Sequence, residues 1–207
     1  MTVKTGLRER KKERTRQALV NAALRLFAEK GFDKTTIAEV ADAADVSPRT
    51  FFAYFPSKES VLFSTAPLKQ ELSGSVLLEP RSGEPPAGLL LRAFLAVLQE
   101  DNDFVGEGQR LRTELIMSTP SLQAYALRQV LDGQRALAQG LLAAYPEQVD
   151  PVSAAAMTGA LVGAIVATIG AVFGAPERQA LADDPQALRA RLENALRDAL
   201  RQFAEVA

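Results

Sequence analysis

Residues 35–62 read TTIAEVADAADVSPRTFFAYFPSKESVL. Thr36 and Glu39 have the spacing of a capping box and open a short helix through Ala44. Asp45 and Val46 then turn the chain. Ser47 is placed to cap the next helix, and Pro48 stands at its first position, where a missing N–H costs nothing. That helix is brief because Pro56 stops it. Ser57 caps a fourth helix, expected from Lys58 to Leu78 with a kink or break at Pro67. Upstream, Leu19, Ala22, Ala23, Leu26 and Phe27 recur at helical spacing on one face of a helix from about Leu7 to Lys30, with Gly31 as its left-handed stop. Two short helices joined by a tight turn are too small to fold alone, and the 7–30 helix supplies the floor beneath them. The pattern is a helix-turn-helix, with Pro48 to Phe55 projecting outward at a height that fits a major groove.

Composition bounds the chemistry. The chain has 207 residues, 47% apolar and 24% charged, the balance of a soluble globular protein large enough for a core. It has no Cys, His or Trp. Disulfides, thiolate nucleophiles, zinc fingers, iron–sulfur clusters and imidazole bases are thereby excluded, and no catalytic residue, metal or cofactor is expected. No apolar run follows the basic N-terminus, so no secretory signal is read and a cytoplasmic location is expected. Residues 1–60 hold 12 Lys/Arg against 8 Asp/Glu, whereas residues 61–207 hold 12 against 17. Seven basic groups fall in the first 16 residues. Charge alone allows either a polyanion partner for this head or a solvated, frayed tail.

Beyond residue 78 the chain continues in helices. A loop rich in breakers, Glu79-Pro80-Arg81-Ser82-Gly83-Glu84-Pro85-Pro86, precedes helical patterns near 87–103, 105–118, 121–145, 151–174 and 185–205. Asp150-Pro151 and Asp184-Pro185 each read as an N-cap followed by Pro at the first helical position. With no alternating strand pattern, the fold class is all-α. The expected division is a helix-turn-helix head over 1–57 with a basic arm over 1–16, a linking helix over 58–78, and a helical body over 79–207.

The quoted stretch, preceded by ALRLFAEKGF, resembles the TetR family of bacterial transcriptional regulators from about Arg14 to Leu62. The resemblance implies that the 1–57 head binds DNA and that the 79–207 body binds ligand and dimerises. Arg49 and Thr50, on the first turn of the outward helix, are the candidates for base edges: Arg forks onto a guanine, and Thr offers a methyl or hydroxyl. Thr36 and Ser47 lie at helix starts suited to a phosphate, although both serve equally as plain caps, and Pro48 is counted with them among the DNA-binding residues. The resemblance assigns Tyr54 and Lys58 to backbone phosphates; the alternative for Lys58 is an ordinary surface lysine. Four aromatics crowd into five residues. Phe51 and Phe55, four apart, are expected to pin the helix onto Leu26, Phe27 and Val40, leaving Phe52 and Tyr54 near DNA. Two positions depart from the family pattern: Phe52 stands where Tyr is usual, with loss of one phosphate hydrogen bond, and Asp45 stands where Gly is usual.

Val152 to Phe173 is a run of 22 residues without a charge, long enough to span a bilayer. Only nine of them are large and apolar. Ala156, Gly159, Ala160, Gly163, Ala167, Gly170, Ala171 and Gly174 share one face, and Leu161, Val162, Ile165, Ile169 and Val172 the other. This sorting favours a buried helix of a soluble protein, with no membrane. The resemblance implies a homodimer through the helices near 151–174 and 185–205, presenting two recognition helices to double-stranded operator DNA about 34–36 Å apart.

Phe94, Leu98, Leu111, Leu115, Met117, Leu122, Tyr125, Met157 and Leu161 are candidates for an apolar pocket, or else plain core. Arg92, Arg112, Glu114 and Arg128 would add polarity. The 112–115 segment (Arg-Thr-Glu-Leu) is loosely similar to family members that bind acyl-CoA-like ligands, so a small hydrophobic effector is expected, an acyl-CoA-like one among the candidates. The resulting expectation is a ligand-responsive repressor that leaves a palindromic operator when effector binds. The alternative is a membrane-associated or adaptor protein with a protein-binding head.

Overall fold

A computed structural model describes residues 6–100, 107–174 and 185–204, which hold nine α-helices, one 3-10 turn and no strand. Helix α1 (Leu7–Lys30) ends at Gly31, whose φ of 86° and ψ of 158° belong to a region open only to glycine. The Gly31 N–H closes the last turn on the Phe27 carbonyl at 3.0 Å. The stop is therefore an extended corner with positive φ rather than a left-handed helical residue. Buried Thr35 locks the corner by donating to the carbonyls of Gly31 and Leu26 at 2.8 and 3.3 Å.

Helix α2 (Ile37–Ala43) opens on a complete capping box. Thr36 N donates to a Glu39 carboxylate oxygen at 2.8 Å, and Glu39 N donates to Thr36 Oγ1 at 3.2 Å. Asp45 follows with φ 56°, the left-handed value that the tight turn into the next helix demands. Helix α3 (Pro48–Tyr54) starts on Ser47, whose Oγ accepts from Thr50 N at 3.1 Å, with Pro48 in its first turn. Phe51 and Phe55 are buried in one cluster with Leu19, Ala23, Phe27 and Val40, and Leu26 packs against it. Fully burying a phenyl ring stabilises by about 1.5–3 kcal/mol, so α3 is held down at its middle and its C-terminal end.

The linking segment departs from expectation. Instead of one helix over 58–78 interrupted at Pro67, a 3-10 turn spans Glu59–Val61 and helix α4 covers Ala66–Leu77. The break thus precedes Pro67, which sits in the first turn of α4. A continuous helix would press the Pro67 ring against the carbonyl of Phe63, and moving the break upstream removes that clash.

The body contains α5 (Pro86–Glu100), α6 (Glu107–Ser118), α7 (Pro120–Ala144), α8 (Pro151–Gly174) and α9 (Pro185–Ala204). Its core joins Leu77 of α4 to Leu89, Leu90, Leu141, Leu161 and Leu196, all buried. Asp150 caps α8, accepting from the N–H groups of Val152 and Ser153 at 2.8 and 3.1 Å. The matching reading of Asp184 lies outside the described residues. The α4–α5 loop is clamped: Arg92 donates to both Glu84 carboxylate oxygens at 2.7 Å and to the Glu79 carbonyl at 2.8 Å. Tyr145 Oη donates to the Glu84 carbonyl at 2.7 Å, bringing the end of α7 into the same knot.

Helix α8 sorts its two faces as the sequence suggests, but it is not a buried helix in the single chain. Met157 and Leu161 are buried, whereas Ala156, Gly163, Ala167 and Ala171 are exposed. Only 22% of Pro151–Thr168 is buried. Ala154, Met157 and Leu161 enter the body core with Ile165 packed against it, and much of the small-residue face is left outside it. By length and composition, α8 is the one helix among the described residues that is long and apolar enough to cross a membrane.

Candidate nucleic-acid interface and body cavity

The outward surface of the head is built by the packing of α3. With Phe51 and Phe55 turned inward, Pro48, Arg49 and Phe52 are exposed and Thr50 and Tyr54 half-buried. Arg49 therefore extends from the first turn of α3 on the solvent side. The Thr50 hydroxyl lies 2.9 Å from Ser47 Oγ, so part of its hydrogen-bonding capacity is engaged within the cap. Phe52 meets Phe51 edge-on with centroids 5.6 Å apart, which fixes where its exposed ring stands.

Thr36 and Ser47 both act as caps. Thr36 Oγ1 also donates to Glu39 at 2.8 Å, and Lys30 holds the same carboxylate from the other side. The Lys30 ammonium, followed by the Thr36 N–H, lowers the Glu39 carboxyl from 4.5 to about 2. At neutral pH this box is a charged, closed unit at the N-terminus of α2.

Lys58 is neither a solvated surface lysine nor wholly available to a ligand. Its Nζ donates to the carbonyls of Phe32 and Thr35 at 2.8 and 2.9 Å and lies 4.1 Å from the Phe32 ring centre. An ammonium has three protons, so one direction remains beyond these two bonds. Arg16, from the basic segment, is turned inward too: it donates to the Ser64 carbonyl and lies over the Phe55 ring. The described part of that segment is helical, with Arg8, Arg10, Lys11, Lys12 and Arg14 exposed along the first turns of α1.

In the body the candidate pocket residues are not brought around one cavity. A cavity of about 220 Å³ lies between α4, α5, α7 and α8, and Phe94 and Leu161 line it together with Gly74, Gly133, Leu137 and Ile165. Leu98 and Met157 are buried in the adjoining core. Leu115 and Met117 border a separate cleft of about 480 Å³ between α6 and the Phe27 end of α1. Tyr125 stacks on Phe63 at 5.0 Å, and burial raises its phenol above the ordinary value of 10.0. Arg112 is buried on α6, outside the cavity wall. Leu122 belongs to the core of the head, fully buried beside Val61 and Leu62, and Arg92 is committed to Glu84 rather than to the cavity. Sequence periodicity put Ile165 on the large face of its helix but missed Gly74, Gly133 and Leu137; the one available signal was the pair of glycines inside otherwise regular helices. Among the described residues no group of three or more acidic or sulfur and imidazole ligands is placed to hold a metal.

Comparison with known proteins agrees with this architecture. The family described as bacterial regulatory proteins, tetR family, matches residues 19–65, and the MftR C-terminal domain matches residues 84–204. The HTH-type transcriptional regulator TcmR of Streptomyces glaucescens is 38% identical over 128 residues, covering 59% of this chain and 57% of that regulator. The putative mycofactocin biosynthesis transcriptional regulator MftR of Mycobacterium tuberculosis is 31% identical over 57% of this chain and 59% of its own length. The chain thus spans a little over half of these curated relatives. Among solved structures, Thermus thermophilus FadR, a TetR-family transcriptional repressor in complex with lauroyl-CoA, superposes with a TM-score of 0.55 and 25% identity. That superposition covers 92% of this chain and 93% of FadR.

Proposed function

This chain belongs to the TetR family of bacterial transcriptional regulators, and on that premise we propose that it is a cytoplasmic, dimeric repressor that leaves a palindromic operator when a small hydrophobic effector enters its body. The single observation that carries the DNA half of this reading is the disposition of α3: Phe51 and Phe55 anchor it, and Arg49 stands clear on its first turn. An outward Arg at that place suits bidentate recognition of a guanine, while Ser47, Tyr54 and the remaining proton of Lys58 suit the flanking phosphates; Thr36 gives both its protons to Glu39 and Pro48 has no N–H, so neither supplies a donor there. Thr50 and Phe52 complete the face toward the groove.

Dimerisation is supported by α8, whose exposed stripe of Ala and Gly lets a second helix approach closely, with α9 beside it. A two-fold pair would present two copies of α3 one DNA turn apart. Regulation follows if effector prefers a dimer with a different α3 separation, since a ligand shifts an equilibrium only by its differential affinity. Two connections run from the cavity to the head: α4 through residues 62–65, and α7 through Leu122 and the Tyr125–Phe63 stack.

The test is titration of a palindromic fragment from the protein's own locus, at fixed salt, with wild type and Arg49→Ala. The expected result is a loss of about 1–3 kcal/mol with relaxed preference at one base pair of each half-site. Indifference of both affinity and preference to Arg49→Ala would overturn the proposed reader.

A further inference from the structure

We infer that the ligand of the α4–α5–α7–α8 cavity is an uncharged, compact, apolar molecule of about ten heavy atoms, and that Gly74 and Gly133 set this size limit. The inference rests on the reading of the body as an effector-binding unit and specifies what it takes.

Three observations carry it. The first is chemical. The wall is carbon from Leu77, Phe94, Val97, Leu137, Leu161 and Ile165, and no described residue of the wall bears a charge. An ionised group entering it would lose water with no counter-charge to replace it, which is strongly unfavourable. Polarity is confined to the α4 edge, at Gln70 and Ser73. The Ser73 hydroxyl proton is spent on the Gln70 carbonyl at 3.1 Å, so its oxygen is left to accept. A ligand with a single hydroxyl donor matches that edge.

The second observation is size. An apolar cavity of about 150 Å³ takes one benzene ring. At about 220 Å³, and open to solvent beside the exposed Gln70 and Ala136, this one takes a fused bicycle within its walls, whereas a twelve-carbon acyl chain would run out past them before its thioester and phosphates are considered.

The third is the contrast among three helix-interior glycines. At Gly140 on α7 a Cβ would come within 2.7 Å of Leu77 Cδ1, so the packed Leu77 side chain would have to shift to admit one. At Gly74 and Gly133 a Cβ would meet nothing within 4 Å. Glycine in a helix interior is destabilising relative to alanine, and packing does not require it at either position. Both border the cavity, one on α4 and one on α7, and a side chain at either would occupy its volume.

Calorimetric titration of the full chain with 1-naphthol and, separately, with lauroyl-CoA tests this, using wild type, Gly133→Ala and Gly133→Leu, with the melting temperature of each unliganded variant. Saturable binding of 1-naphthol to wild type is expected, weakened about tenfold or more by Gly133→Leu and less by Gly133→Ala, with Tm unchanged or raised. Should Gly133→Leu melt below wild type, Ala136→Leu on the same wall gives the same readout. Absence of 1-naphthol binding, or binding unmoved by these fillings, overturns the inference. So does lauroyl-CoA binding more tightly than 1-naphthol and being lost in Gly133→Leu. Binding of 1-naphthol that leaves affinity for the palindromic DNA unchanged would instead overturn the regulatory reading and leave the ligand assignment standing.

Discussion

Lys58 holds its ammonium 4.1 Å from the centre of the Phe32 ring and donates to the carbonyl of that same residue at 2.8 Å. With the second bond to Thr35, it closes the corner after α1 over the start of α2. Lys58→Ala removes two charge-assisted hydrogen bonds and a cation–ring contact and leaves two carbonyls without that donor. A loss of about 2 kcal/mol is expected, or ~4–8 °C in Tm, checked by thermal unfolding. A variant as stable as wild type would show the contacts to be incidental.

Phe52 is exposed at 54% and its position is fixed by the edge-on contact with Phe51. Phe52→Tyr adds a hydroxyl where the family pattern has one. Tighter binding to a palindromic fragment by about 1 kcal/mol, roughly fivefold, is expected with base preference unchanged, as a phosphate contact requires. Altered preference in a binding-site selection would contradict a phosphate role.

Asp45 adopts φ 56° between α2 and α3. Glycine enters that region without a Cβ penalty, and a β-branched residue enters it with the most strain. Asp45→Gly is expected to be neutral or stabilising by up to about 1 kcal/mol, and Asp45→Val destabilising by about 1–2 kcal/mol, in urea unfolding. Equal stability of the two variants would refute the strain argument.

Glu39 titrates near 2 in the folded chain against 4.5 ordinarily, chiefly through Lys30 and then the Thr36 N–H. Because the folded value is the lower one, the charged box stabilises fully above about 4.5, and that contribution is lost as pH falls toward 2. Glu39→Gln removes this dependence. Unfolding midpoints measured between pH 5 and 2 should therefore fall more steeply for wild type than for Glu39→Gln, and parallel curves would sink the assignment.

The head was legible because its signals are local. A Thr three residues before a Glu, a Ser before a Pro, and a phenylalanine pair four apart each specify a bond or a face within one turn of chain, and the structure places Thr36, Ser47, Phe51 and Phe55 accordingly. Pro67 announced an interruption but not its position, since the ring excludes helix upstream of itself over several residues. The cavity was not legible: Gly74 and Gly133 are 59 positions apart and matter only because α4 lies on α7. The Glu84–Arg92 clamp was hidden for the same reason, as it folds a loop back on the following helix. Leu122 carried the same apolar signal as its neighbours on α7, and nothing in its spacing says which of two cores receives it.

Its destination limits what can be grafted. Leu122 enters the interior of the first three helices from the far side of the chain. A chimera that joins these 65 or so leading residues to a foreign sensor would inherit an empty socket in their apolar core, and the transplanted head would be soft unless its new host supplied a plug of similar shape.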